Sequence, residues 1–563
     1  MLSIEVNNQL IDLGKLSMNL EINNPLFSFM DGSRGQFSYP FTLPWTRKNK
    51  RVFKHGDLLE SLSDDLNGYY DATIYLQGIA YLTGEIHLRS SNESSFKITF
   101  SGQTAVLSNT IGGTLLTDID LGQTSGNVNG NSYSPTAYAK LATYGSYQDF
   151  DVAFFEVYNK DFPSDKYPNF TKRINYWKAN PDGTNPTFQD NPTPTTTQGE
   201  SYINQIVPFP YVFNTLRKSL AALGWTFTGS IADDAELNSL VFLNSFSINK
   251  NYFNQNTYDY RAQYPIKYNN HTPSVQITTL IKKLSQLFCC LIDIDTEQKT
   301  ISLEPIKDYM ASTKRYYLKD RLVAKEFYNN KPKGIRLKTN EPQKNIVEYN
   351  HSEADPDVTD FSTVDFGLHP VTDPYQKTIG NMPFTDIGVD INIPHQEFLR
   401  HDYDDVIHEK KQIALDIKQI LDGDTFSHIT LAFNRGIQNC LYQRPVGTSF
   451  IPTLIDYPLG AVDDLAYTLI NGSTATQSIA NYSLHWGGTK GLYNLWWKDW
   501  ANFLKDSRPV KVKAYWSVQE LLDIKDNITS KFYDDGTEFI IKSIRVSVNS
   551  ERIESITVDL ATL

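Results

Sequence analysis

Residues able to do chemistry fall into a few clusters, and the densest spans residues 401–409. His401, Asp402, Asp404, Asp405, His408 and Glu409 are residue types that bind divalent cations. Their spacing fits no zinc pattern, such as two histidines four apart on a helix. The expectation is an acidic helix start, where Asp side chains accept from orphan N–H groups and favour the helix dipole. No metal ion and no other cofactor is expected.

A second cluster, Gly487-Gly488-Thr489-Lys490-Gly491, combines glycines with a lysine as phosphate cradles do. It lacks P-loop spacing, and no clear strand leads into it. It reads as a flexible loop, and the isolated Gly112-Gly113 pair reads as a turn. No Gly-x-Ser-x-Gly elbow and no full class A β-lactamase signature occurs. The adjacent carboxylates Asp64-Asp65, Asp233-Asp234 and Asp463-Asp464 are the raw material of glycoside hydrolysis. That chemistry needs a set separation between carboxyl groups, which a sequence does not carry. With 64 acidic residues such pairs arise by chance. No catalytic residue is assigned, and a non-enzymatic role is expected.

The last cluster is aromatic: His485 to Trp500, HWGGTKGLYNLWWKDW, with Trp486, Tyr493, Trp496, Trp497 and Trp500 close together. Such a stretch can form a platform that stacks on sugars. It can equally be a helix whose apolar face (Leu492, Leu495, Trp496 and Phe503) packs into a core or a subunit interface. The leucines in the same segment favour packing or an interface for Tyr493, Trp496, Trp497 and Trp500.

These clusters sit in a chain of 563 residues, 40% of them hydrophobic, with 33 Tyr and 31 Phe. At roughly 100–200 residues per domain, that length implies several domains with real cores. The net charge of -12 argues against gripping duplex DNA and gives no polybasic signal for anionic membranes. Cys289, Cys290 and Cys440 form no disulfide framework. The adjacent pair lies in an apolar strand, LFCCLIDI, and reads as buried thiols in a reducing cytosol. The N-terminus lacks the form of a signal peptide, and no run approaches the ~20 apolar residues of a membrane helix.

Alternation places short strands over the first hundred residues, with Leu16, Met18, Leu20 and Ile22 on one face. Gly78 marks a tight link between two of them. Helical spacing places helices at Tyr211 to Leu223 and Ser274 to Phe288, the second followed by a hairpin of Cys289 to Ile294 and Lys299 to Glu304. Residues 345–400 read as long loops, and His408 to Leu421 as a helix. Near the C-terminus Ser517 to Glu520 is a capping box between strands. The expected fold class is β-rich α+β and multidomain: small β-barrel or sandwich domains with helix–hairpin insertions. The implied divisions are a barrel-like domain at 1–105, a loop-rich insertion at 106–200, an α+β domain at 201–345, a loop-rich segment with a helix at 346–425, and a β-rich domain at 426–563.

Three sets of segments resemble a known group. NPLFS (Asn24 to Ser28), FSYPFTLPWTRKNKRVF (Phe37 to Phe53) and YLQGIAYLTGEIHL (Tyr75 to Leu88) look like the N-terminus of phage and prophage tail proteins. The unit from Ser274 to Met310 resembles a helix–hairpin of tail hub proteins. GLYNLWWKDW (Gly491 to Trp500) and FIIKSIRVSVN (Phe539 to Asn549) resemble the ending of that group. The resemblance implies a baseplate hub: a homotrimer of β-barrel domains closing the tail tube, with two similar barrels per subunit. Implied partners are the tail tube or distal tail protein, the tape-measure protein and a fibre or spike. The implied location is the virion tail, after synthesis in the host cytoplasm, with roles in host attachment and genome ejection. Specific nucleic-acid binding and membrane insertion are not expected. Because the chain ends just after a strand, no C-terminal lysin domain is expected. A receptor- or carbohydrate-binding tail protein is the alternative, and a glycosidase comes after it.

Overall fold

A computed structural model describes residues 2–27, 36–53, 69–92, 94–102, 110–124, 127–128, 131–133, 135–158, 173–178, 187–188, 206–244, 266–318, 321–328, 334–340, 374–400, 410–416, 428–446, 449–470, 473–534 and 536–563. The sequence cluster at 401–409 and the Asp64-Asp65 pair lie outside these residues.

The N-terminal alternation becomes strands β1 (Leu2–Val6) and β2 (Ser17–Asn23). Leu16, Met18, Leu20 and Ile22 all point into a core, as the period of two requires. The run from Phe37 to Leu43 is two strands, Gln36–Ser38 and Phe41–Pro44, because Pro40 cannot continue a ladder. A short helix, α1 (Arg47–Val52), follows. Strands β3 (Tyr69–Leu76), β4 (Ile79–Ser91) and β5 (Ser95–Gly102) then form a meander. Gln77 and Gly78 both adopt positive φ in the two-residue link between β3 and β4, the left-handed geometry that a tight hairpin demands.

Helix α2 (Val212–Ala222) ends at Gly224, whose φ of 76° suits its place after the helix C-cap. Helix α3 (Ile277–Leu287) buries the stripe Ile277, Leu280, Ile281 and Leu284, and passes into the hairpin β6 (Cys290–Asp295) and β7 (Thr300–Pro305). An edge strand, β8 (Leu322–Phe327), precedes a region that differs from the sequence reading. Within 345–400, Gln376–Ile379, Phe384–Asn392 and His395–Arg400 are strands, not loops. Asp, Asn and Gly conceal an alternation there: Ile387, Val389 and Ile391 are buried between exposed polar residues. Lys410–Asp416 is likewise a strand where a helix was expected, because pairing with His395–Arg400 overrides helix-favouring residues.

Next comes the longest hairpin among the described residues, β9 (Leu431–Val446) with β10 (Ser449–Ala461). Helix α4 (Lys498–Asp506) leads to β11 (Pro509–Ala514). The expected capping box is present at α5 (Val518–Asp526): Glu520 N–H donates to Ser517 Oγ at 3.2 Å, and Ser517 N–H donates to Glu520 Oε2 at 2.8 Å. Strands β12 (Thr537–Asn549) and β13 (Ile553–Thr562) finish the chain.

The fold is β-rich α+β and multidomain, and the described residues form two hydrophobic cores. Among the described residues the expected small barrels are not closed. Strands instead run in an open path: Gln9–Leu10, β1, β3, β4, β5, Gln36–Ser38, β2, β12, β13, β11, β8. The free side of β2 is taken by β12 and not by the N-terminal hairpins themselves, so one sheet draws on both the 1–105 and the 426–563 stretches. A cross-strand pair on the facing register, Arg545 Nη2 to Glu21 Oε2 at 2.8 Å, reinforces that seam. The other core gathers α2, α3, the β6–β7 hairpin, β9, β10 and the tryptophan segment.

Candidate functional site: an aromatic seam and a polar knot

Tyr493–Trp497 form one wide π-helical turn that runs straight into α4. This turn aims successive large rings inward. Trp496, Trp497 and Trp500 are buried, as is Trp486, while Tyr493 is half-buried. Trp496 meets Phe288 edge-on at 5.6 Å, and the Lys307 ammonium lies 4.0 Å from its ring centre. Trp497 Nε1 donates to the carbonyl of Leu287 at 3.2 Å, satisfying the end of α3. Trp500 lies 5.1 Å from Phe27 and 4.9 Å from Phe503. Rings enclosed in this way present no face on which a sugar could stack.

Beside the seam sits a polar knot built on a β-bulge. The β9–β10 register shifts between Asn434 and Ile437, and Gly436 adopts a φ of 66°. A bulge re-aims a side chain, and here it turns Arg435 into the interior. Arg435 Nη1 meets Glu236 Oε1 at 2.7 Å, and Nη2 donates to the carbonyls of Tyr482 at 2.6 Å and Asp463 at 3.0 Å. Its guanidinium also stacks on Phe433, 4.0 Å from the ring centre. Glu236 accepts further from the N–H groups of Asn481 and Tyr482, at 3.0 and 2.9 Å. Burial lowers the Arg435 pKa, and Glu236 opposes that shift.

Two of the carboxylate pairs singled out in the sequence meet this knot. Asp234 Oδ2 accepts from the Tyr482 hydroxyl at 2.6 Å, and Asp234 Oδ1 accepts from Leu237 N–H at 2.8 Å. Asp463 lies 3.5 Å from His485 Nδ1, and Asp464 lies 3.3 Å from Lys490 Nζ. Serine, histidine and aspartate therefore occur together, but not as a nucleophilic triad. Ser483 Oγ accepts from the backbone N–H of His485 at 3.1 Å, and all three residues are buried. Lys490, the lysine of the glycine cluster, also donates to Ser478 Oγ and the Ala480 carbonyl. The glycines close a tight turn in which a Cβ on Gly491 would lie 1.8 Å from the Gly487 carbonyl oxygen.

No family model matches the chain, and no curated protein does. Solved structures similar to it include two tail proteins. The first is the 43 kDa tail protein of prophage MuSo2 from Shewanella oneidensis, at 8% identity and a TM-score of 0.32, covering 100% of this chain and 97% of that one. The second is a tail protein from Neisseria meningitidis MC58, at 7% identity and a TM-score of 0.32, covering 100% and 95%. Likeness at that level carries no argument about what this chain does.

The remaining sites have structural surroundings. Cys289, Cys290 and Cys440 are buried free thiols, and burial raises the pKa of each, which disfavours the reactive thiolate. Among the described residues no group of three or more His, Cys, Asp or Glu is placed to hold a metal ion. No helix among them is long and apolar enough to cross a membrane. A surface cavity of about 290 Å³ beside β11 has a single carboxylate in its lining, Asp559. Reading the residues alone missed Glu236, Arg435 and Tyr482. The available signal was Gly436, a glycine interrupting a strand run.

The Asp463–Asp464 pair yields a pH prediction. Burial works to raise the Asp463 carboxyl, but the hydrogen bond and charge of His485 and the bonds from Asp464 outweigh it and hold Asp463 well below its ordinary value. Burial and Asp463 raise Asp464. A depressed carboxyl stabilises the fold above its unfolded pKa of about 4, and that contribution is lost as pH falls below it. Asp464 acts in the opposite sense. Thermal melts across neutral and acid pH are expected to show Asp463→Asn melting below the parent at neutral pH, with the gap closing below about pH 4. Asp464→Asn is expected to change little or to stabilise. A gap for Asp463→Asn that persists unchanged into acid contradicts this assignment.

Proposed function

We propose that this chain is a structural, non-enzymatic component of a bacteriophage or prophage tail, and more specifically a baseplate hub at the tail tip. The observation that supports the reading is where its resembling segments lie. Phe27, from the N-terminal segment, packs on Trp500 from the C-terminal one. Phe288 and Leu287, from the helix–hairpin unit, contact Trp496 and Trp497. Segments hundreds of residues apart that resemble one protein group thus share one packed seam. Their side chains are engaged in holding the fold together and not in presenting a reactive group.

On this reading the chain acts as a homotrimer on the tail axis. It joins the tube or distal tail protein to a fibre or spike and contacts the tape-measure protein. It is made in the host cytoplasm and carried in the virion. The alternative of a sugar-binding tail protein called for an exposed aromatic patch at 485–500, and enclosure of Trp486, Trp496, Trp497 and Trp500 disfavours it. Reconstruction of the particle that carries this chain is the test. Three copies surrounding the tail axis at the tip are expected. A different copy number, or a position at the periphery, rejects the hub; absence from the particle rejects the tail role altogether.

A further inference from the structure

We propose that the chain from Asn24 to Phe27 is a joint that couples the two hydrophobic cores, and that releasing Asn24 lets them move as separate bodies. β2 lines the first of these cores and ends at Asn23. A single 3-10 turn, Pro25–Phe27, then carries Leu26 and Phe27 into the second. Asn24 stands between the two and is fully buried. Its Nδ2 donates to the carbonyls of Ile528 and Ile541, both at 2.7 Å, and its Oδ1 accepts from Leu26 N–H at 2.9 Å. Ile528 and Ile541 belong to the first core and Leu26 to the second. One amide thus directs both its donors to one core and its acceptor to the other.

The other half of the joint is a bulge in β12, whose register with β13 shifts between Ile541 and Ser543. Asn24 takes both carbonyls at this point: its side chain that of Ile541, and its backbone N–H that of Lys542 at 2.8 Å. Successive residues here divide between the cores, as the period of two requires. Ile541 and Leu560 lie in the first, Ile540 and Ala561 in the second. Phe27 meets Trp500 and Phe503 at 5.1 and 6.3 Å, and the Lys542 ammonium lies 5.2 Å from its ring centre. Lys531, which also crosses the boundary to the Met310 carbonyl at 2.6 Å, does so from a part-buried position.

A polar side chain this deep in an apolar seam costs the fold unless its bonds are made, and apolar packing alone could fill the same space. What the asparagine adds is direction. Its three hydrogen bonds fix the cores at one distance and angle, where apolar contacts alone would let them slide. Removing it strands two buried carbonyls at the boundary and leaves the contacts inside each core intact. The inference concerns this chain alone and holds whether or not it belongs to a tail.

Hydrogen exchange of the full chain, read by mass spectrometry at rising urea, follows each core separately. Peptides from β2 and β12 report the first core, and peptides from α3 and β9 the second. In the parent both are expected to lose protection in one step. Asn24→Ala is expected to give two steps about 1 M urea apart, with both cores protected when urea is absent. Asn24→Asp, whose second oxygen would face the two carbonyls, is expected to do the same. Asn49→Ala is the control. The Asn49 side chain also makes three hydrogen bonds, accepting from Asp12 N–H and donating to the carbonyls of Asp12 and Pro44, each at 2.8 Å. It lies beside Val52 and Phe53 of the first core, away from the boundary, so its loss is expected to lower one shared step. Two steps in the parent, one step in either Asn24 variant, or a split in Asn49→Ala as well overturns the proposal. So does loss of protection in either core of both Asn24 variants without urea, which would make Asn24 a requirement for folding and not a joint.

Discussion

Trp497→Ala is expected to destabilise the protein by about 3–5 kcal/mol, the range for truncating a fully buried large aromatic side chain. Trp497 is completely enclosed, packs edge-on against Trp486 at 6.0 Å, and donates its indole N–H to the Leu287 carbonyl at the end of α3. Truncation therefore opens a cavity and leaves a helix-end carbonyl without that donor. Trp497→Phe separates the two effects, since it restores most of the packing but not the hydrogen bond, worth about 1 kcal/mol. Tyr493→Ala, at a half-buried position of the same turn, is expected to cost clearly less. Urea denaturation followed by circular dichroism measures all three. A Trp497→Ala protein that unfolds with the parent would mean that the seam does not hold α3 and α4 together.

Arg435→Met should be comparably damaging. Breaking a fully buried ion pair by removing one partner typically costs about 3–5 kcal/mol, and because Glu236, the charge left behind, is only half-buried, the loss is expected toward the lower end of that range. Glu236 would keep its bonds from Asn481 and Tyr482 N–H but lose the guanidinium, and the Tyr482 and Asp463 carbonyls would lose their shared donor. The double variant Arg435→Met/Glu236→Gln is expected to recover part of the loss, since it no longer strands a charge. A double-mutant cycle isolates the coupling between the two residues. Additive losses would show that Arg435 acts through its packing on Phe433 and not through Glu236.

These two sites differ in how far they could be read beforehand. The tryptophans stand together in the chain, and their leucine neighbours pointed to packing, so local composition carried the information. The knot joins residues from positions 234–236, 435, 463–464 and 478–490, and no local pattern links them. The bulge that aims Arg435 depends on β10 lying opposite β9 with one register shift. A sequence records the glycine but not the partner strand.

Local physics determined a good deal. The period of two in β2, the apolar stripe of α3, the glycine after α2 and the Ser517–Glu520 box all follow from residue spacing and backbone preference, and each appears near its expected place. Tertiary contacts decided the rest. Lys410–Asp416 became a strand because a neighbouring strand was available to pair with, against the helical preference of its residues. Among the described residues the strands follow an open path in which β2 meets β12, more than five hundred residues away, and alternation names the face of a strand without naming its neighbour. Side-chain periodicity is encoded residue by residue, whereas strand order is a property of the whole chain's competition for edges, and only the assembled fold resolves that competition.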